Sequence, residues 1–325
     1  MENNHPVSSP GAAGPRSALL RGVHLAGAVR PFRFGIVAAS ARSAEEWVHK
    51  AQRAESLGYA TLVIPDNLQY TLAPLPALAT VAAATRTLRI GTYVLANDLR
   101  NPVLLAKDVA TLDLLSGGRF ELGLGAGRPD AAAENRMLGL PFDSGAVRVA
   151  RLAESIGILK ALLAGRRVST SGTYYDVADA EVSPRPVQQP RPPILVAGSG
   201  RQLLSLAARE ADIIALGLPP DTPEAAVAER IDWIREAAGD RFADIELNVN
   251  LMAVGDQVPR WIAAQLRLTA ADLAERGSIA AVTGSTEQMC ETLVQRRERL
   301  GFSYVVVSDE FMEPFAPVVE RLTGH

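Results

Sequence analysis

The stretch Asp113–Gly127, DLLSGGRFELGLGAG, constrains this chain more than any other. It reads as the last turn of a helix, a break at Gly117 and Gly118, and a short strand over Arg119–Leu124. Phe120, Leu122 and Leu124 alternate with Arg119, Glu121, Gly123 and Gly125, the period of two expected of a strand. One face can pack on helices, while the other is nearly free of side chains toward its C-terminal end. Glycines there admit a bulky planar ligand close to the backbone, or permit a tight turn. Gly123-Leu-Gly125-Ala-Gly127 only partly imitates a dinucleotide fingerprint. Arg128 stands where its last glycine belongs, and the usual acidic residue on a following strand is not evident.

Around this stretch the chain alternates strands and helices. Arg33–Ala38 predicts a first strand. Ser43 with Glu46 three residues on predicts a capping box opening a helix with a Trp47, Ala51, Ala54, Leu57 stripe and a stop at Gly58. Further strands are predicted at 60–65 and 88–95, with helices at 75–84 and from Pro102 to Ser116. Beyond the central strand, strands are predicted at Ile194–Ala197, Ile213–Leu216, Ile245–Leu251 and Tyr304–Val307, eight in all. Repeated βα units give a parallel sheet, and a count of eight favours a (β/α)8 barrel over a doubly wound sheet. The interval between strands 4 and 5 is long. It holds a loop (128–145), a helix (149–164), Tyr174 and Tyr175, and the Pro-rich SPRPVQQPRPP, a rigid surface connector. A loop inserted after strand 4 lies at the C-terminal barrel face, where insertions serve as lids or substrate walls.

Composition narrows the function. The chain has 325 residues, 48% of them hydrophobic, enough for one large core. Net charge is −3 with no Lys/Arg block, which argues against a nucleic-acid partner. Its apolar runs are far shorter than the ~18 residues of a membrane span. Cys290 is alone, so no internal disulfide forms, and a reducing cytoplasm fits. Residues 1–29, rich in Gly, Pro, Ser and Ala, predict a flexible extension without the pattern of a secretory signal. Residues 30–325 then form a single domain. No His-x-His or carboxylate cluster falls at a strand end, which disfavours a metal site.

Helix, Ser-x-Gly-Arg-Phe-x-x-Gly-x-Gly-x-Gly is a specific signature. Over about Arg30–Gly324 the chain resembles the bacterial luciferase-like superfamily, flavin or deazaflavin oxidoreductases on a (β/α)8 TIM barrel. It is most similar to the branch using the deazaflavin coenzyme F420. The resemblance implies hydride transfer between F420 and a small organic substrate. The alternatives are an FMN-dependent monooxygenase and a cofactor-binding relative without catalysis. It also implies a homodimer.

Several residues carry the expected chemistry. Relatives read Asp-His at the end of strand 2, where this chain has Asp66-Asn67. An amide hydrogen-bonds but carries no proton at neutral pH. Asn67 then positions the ring or merely closes a turn, and Asp66 is either an acid or a structural acceptor. In Gly91-Thr92-Tyr93-Val94 the resemblance implies a non-proline cis bond at Tyr93–Val94 against the cofactor ring. Gly125, Gly127 and Arg128 follow strand 4, with Arg128 facing the site or solvent. After strand 5, Gly198-Ser199-Gly200-Arg201 enters a helix whose free N–H groups suit a phosphate, with Arg201 adding charge.

Overall fold

The computed structural model describes Met1 and residues 30–325, so the expected N-terminal extension lies outside the described residues except for Met1. The first half of the barrel runs β1 (Arg33–Val37), α1 (Ala44–Ser56), β2 (Thr61–Ile64), α2 (Pro74–Ala84), β3 (Arg89–Thr92), α3 (Pro102–Leu115) and β4 (Phe120–Gly125). The insertion carries α4 (Ala132–Met137), α5 (Gly145–Leu163) and an antiparallel hairpin, Val168–Ser171 with Asp176–Ala180. The second half has β5 (Ile194–Gly198), α6 (Arg201–Glu210), β6 (Ile213–Leu216), α7 (Glu224–Ala238) and β7 (Glu246–Leu251). It ends with α8 (Ala270–Glu275), α9 (Thr286–Leu300), β8 (Phe302–Ser308) and α10 (Met312–Leu322).

Every barrel strand pairs in parallel with its sequence neighbours, and β1 also pairs with β8, Gly35 opposite Val306. Closure is completed where Ile90 of β3 meets Phe120 of β4. The eight-stranded (β/α)8 TIM barrel is therefore closed, each of its eight strands being paired on both sides.

Local chemistry explains the elements. Ser43 Oγ accepts the Glu46 N–H at 3.1 Å, which starts α1. The return half of the expected capping box does not form, because the Glu46 carboxylate turns to the Arg42 N–H and Nε instead. Trp47, Ala51 and Ala54 are buried, Leu57 only half so, and Gly58 ends the helix at φ +82°. In the signature, Arg119 is structural. Its guanidinium donates to the carbonyls of Ala82, Leu88 and Ser116, capping the chain after α2. The expected strand over 88–95 is interrupted after Thr92 and resumes only at Leu95–Ala96, which pairs with Leu124 and Gly125.

Outward side chains such as Phe34, Ile64, Phe120, Leu122 and Leu124 form the main core under the helices. Inside the barrel, Leu195, Ile213, Ala215, Tyr304 and Val306 form a separate cluster, with Tyr93, Val94 and Ala197 packed against it. Below them sits a charged floor. Arg33 bonds Glu246 at 2.7 and 2.8 Å and Glu121 at 2.8 Å, and its guanidinium stacks 3.6 Å from the Tyr304 ring centroid. Arg89 bonds Glu121 from the other side. Burial pushes the Glu121 carboxyl up, but the two guanidiniums outweigh it and hold it below the usual range. These four residues begin β1, β3, β4 and β7, so they plug the N-terminal end of the barrel.

The Pro-rich run closes the same end. Gln188 donates through its backbone N–H and Nε2 to the buried Asp113 carboxylate at 2.9 and 2.6 Å, and Nε2 also reaches the Phe120 carbonyl. Ser183–Pro184 and Gln189–Pro190 are cis. This connector lies opposite the open mouth, which is left for chemistry.

Candidate active site

The expected site residues follow β2, β3, β4 and β5, four adjacent strands, and so line one arc of the C-terminal mouth. The Tyr93–Val94 bond at the end of β3 is cis. Tyr93 donates its phenolic O–H to Asn248 Oδ1 on β7 at 2.7 Å, spanning the barrel interior. Burial pushes the Tyr93 phenol well above its ordinary value, so it acts as a neutral hydrogen-bonding group. Asn248 is fully buried, and its Nδ2 has no partner among the described residues. No sequence motif marks Asn248, although Asn248 and Asn250 alternate with Leu247, Val249 and Leu251 and so point inward.

The glycines of β4 make room for the neighbouring strand. A Cβ on Gly123 would stand 1.9 Å from the Thr92 carbonyl oxygen, and one on Gly125 would stand 2.8 Å from Val94 Cγ2. Their missing side chains make room for the Thr92–Val94 bulge, and Gly125 itself is buried. Gly127 takes φ +82° in the turn after the strand. Buried Arg148 fixes that turn, donating to the carbonyls of Ala126 and Gly127 at 2.8 and 2.7 Å.

Asp66 is a structural acceptor. Its carboxylate takes the Ala96 N–H at 3.1 Å and a two-nitrogen fork from Arg100. Asn67 Oδ1 accepts the N–H groups of Gln69 and Tyr70 at 2.9 and 3.0 Å, so half of its amide closes the turn, and its Nδ2 is the half available to a ligand. Arg128 is exposed and pairs with Asp130 and Glu134, the latter at 3.2 Å. Glu134 also accepts the Leu68 N–H, so it braces the β2 and β4 loops together.

Gly198, Ser199 and Gly200 form the turn into α6, and no side chain caps the helix start. Arg201 departs from expectation. It is exposed, bonds Glu236 of α7 at 2.9 Å and lies near the Trp233 ring. Its first helical position aims it along the outer surface toward the next helix.

Tyr93, Ala197, Ala215, Gly217, Asn250 and Met252 line a cavity of about 210 Å³ at the mouth. The hairpin of the insertion is tied to the β3 side, where the Tyr175 hydroxyl accepts from Asn97 Nδ2 at 3.2 Å. Glu154 of α5 accepts the N–H groups of Tyr174 and Tyr175. Cys290 sits half-buried on α9, where burial pushes its thiol up, as for an inert side chain. No cluster of metal-ligating residues is present among the described residues.

A closed parallel (β/α)8 barrel with a cis step ending β3 and a glycine turn entering α6 defines the structural class. A model of the luciferase-like monooxygenase family matches residues 27–257, and the chain belongs to that family. F420-dependent glucose-6-phosphate dehydrogenase of Beutenbergia cavernae is 38% identical over 167 residues, 49% of this chain and 48% of that protein. Its counterpart in Kineococcus radiotolerans is 32% identical over 219 residues, 64% of each chain. The chain thus spans about half the length of the first of these relatives. Among solved structures, the F420-dependent tetrahydromethanopterin reductase of Methanopyrus kandleri aligns with TM-score 0.73 at 18% identity, covering 90% of this chain and all (100%) of the reductase. An F420-dependent secondary alcohol dehydrogenase aligns with TM-score 0.73 at 17% identity, covering 90% and 99% of the two chains. At such identities these two structures establish the fold.

Proposed function

We propose that this chain is an F420-dependent oxidoreductase that moves a hydride between the deazaflavin and a small organic substrate. The observation that carries the proposal is the 38% identity to a protein named for that cofactor, over a segment of 167 residues. The mouth fits such a group. It offers an apolar floor at Tyr93, Val94 and Ala197, and an uncapped glycine turn at Gly198–Gly200 on its rim.

In this proposal Tyr93 and Val94 support the ring, with Tyr93 held in place by Asn248. Asn67 Nδ2 donates to the ring or substrate, while Gly125 and Gly127 let the β3 bulge and β4 turn take the required shape. The backbone N–H groups of Ser199, Gly200 and the start of α6 receive a phosphate, aided by the helix dipole. When bound, the deazaflavin supplies a carbon that accepts or gives hydride, and the protein orients it. Asp66 is occupied by Arg100, so the proton belongs to water or the substrate. Leu104, Leu114 and Leu115, exposed on α3, support a self-association face for the proposed homodimer. No helix of the described residues is long and apolar enough to cross a membrane, and the lone Cys290 accords with a cytoplasmic site of action.

The test is anaerobic turnover, following deazaflavin absorbance with glucose 6-phosphate and with simple secondary alcohols. Sugar phosphates come first because of the names of the relatives. Reduction of F420 by one class supports the proposal. Inertness toward every donor, and inertness of reduced F420 toward imines and enones, would move the chain to the non-catalytic alternative.

A further inference from the structure

The residues assigned to the cofactor follow β2 to β5, and the cavity beside Tyr93 opens toward the other arc of the mouth. Its walls there are Leu218 and Pro219 after β6, Met252 after β7, and Ile279 with Ala280. None of these is assigned to the deazaflavin, so this arc is the side left for the substrate. Among the described residues, no charged side chain lines the cavity.

The cations around it are already answered. Arg33 in the floor is bonded to Glu121 and Glu246. Across the mouth, Arg100 is paired with Asp66, and Arg128 with Asp130 and Glu134. A phosphate or carboxylate entering this space would give up its water with no counter-charge to replace it, which is costly.

Two polar side chains line the cavity, and one of them is spent: the Tyr93 hydroxyl donates to Asn248. The other is Asn250 of β7. It stands two residues beyond Asn248 on the same inward face, opposite Val306 of β8. Asn250 is half-buried, and its amide makes no hydrogen bond to any described residue. Asn248 Nδ2, by contrast, is sealed from solvent. A carboxamide brings donors and an acceptor without charge, so its match is a neutral oxygen. An apolar cavity of about 150 Å³ is enough to take benzene. The cavity of about 210 Å³ therefore holds a single ring with its substituent oxygen.

We propose that the substrate is a neutral, largely apolar molecule of about one ring, whose carbonyl or hydroxyl oxygen is received by the Asn250 amide. Calling this ligand the substrate rests on the oxidoreductase reading, whereas the preference of the cavity rests on its lining alone.

Calorimetric titration of the full chain with cyclohexanone, with methylenecyclohexane (the same shape without the oxygen) and with glucose 6-phosphate tests the proposal. No cofactor is added, so that binding is read apart from the F420 assignment. Cyclohexanone should bind at least about tenfold more tightly than glucose 6-phosphate. Asn250→Leu should weaken cyclohexanone by about tenfold and leave methylenecyclohexane within about threefold. In the same variant the infrared stretch of bound 13C-carbonyl cyclohexanone should move to higher frequency, as for a carbonyl released from a hydrogen bond. Leu218→Lys puts a cation in the apolar wall and should weaken both neutral ligands by about fivefold or more, which keeps the test decisive if Asn250→Leu does not fold. Failure of F420 to bind would overturn the cofactor reading and leave these affinities as they are. Glucose 6-phosphate binding as tightly as cyclohexanone, an equal loss of both neutral ligands in Asn250→Leu, or cyclohexanone affinity unaltered in both variants would overturn the proposal.

Discussion

Val94 Cγ2 occupies the space beside Gly125, 2.8 Å from where a Cβ on that glycine would stand. The pair couples the end of β3 to the glycine stripe of β4. Gly123→Ala drives a methyl into the Thr92 carbonyl, which cannot retreat without moving β3, and should cost about 3 kcal/mol. Gly125→Ala meets only a side chain and should cost about 1–2 kcal/mol. Adding Val94→Ala should recover much of the Gly125→Ala loss and little of the Gly123→Ala loss in urea unfolding. Strict additivity in both double mutants would show that the contacts are not coupled.

Arg201→Ala should leave the affinity for deazaflavin within about threefold and stability within about 0.5 kcal/mol. Its ion pair with Glu236 is exposed and lies against α7. Fluorescence titration checks the affinity. A loss of tenfold or more would mean that Arg201 leaves Glu236 to reach the ligand.

At Asn67 two roles share one amide, and substitutions separate them. Asn67→Asp keeps the acceptor for Gln69 and Tyr70 and should retain stability, whereas Asn67→Ala should lose about 1 kcal/mol. Both remove the Nδ2 donor, so both should weaken ligand binding if that donor faces the ring. Thermal melts and titration read the two effects independently.

Acid should expose a specific carboxylate, Glu55. Burial pushes it up, but the N–H groups of Thr87, Leu88 and Arg86 prevail and hold it at about 2 against an ordinary 4.5. The unfolded chain thus binds the proton more readily. This stabilisation is complete above about pH 4.5 and disappears as pH falls toward 2. Glu55→Gln should cost about 1–2 kcal/mol at neutral pH, allowing for solvent screening, and should narrow the gap to wild type through that window. A constant gap from pH 6 to pH 2.5 would contradict it.

The eight strands were legible because a period of two and regular βα spacing are local signals. The interruption at Thr92–Leu95 was not visible in periodicity and came only from family likeness at Gly91-Thr92-Tyr93-Val94. Least legible were pairings set by closure of the barrel. Arg33, Arg89, Glu121 and Glu246 are far apart in sequence, and nothing local says that their inward positions meet. Arg201 misled for the related reason that a glycine turn fixes where a helix begins but not which way its first side chain points. Asn248 was hidden in plain alternation, its importance arising only from the Tyr93 hydroxyl that reaches it across the interior.

The identity of the cofactor is read most directly by a parallel titration of F420 and FMN into the apoprotein, followed by fluorescence and melting temperature. F420 is expected to bind more tightly, with a larger rise in melting temperature at equal ligand excess. Equal affinities, or preference for FMN, would contradict the F420 assignment and point to the monooxygenase chemistry for which the family is named.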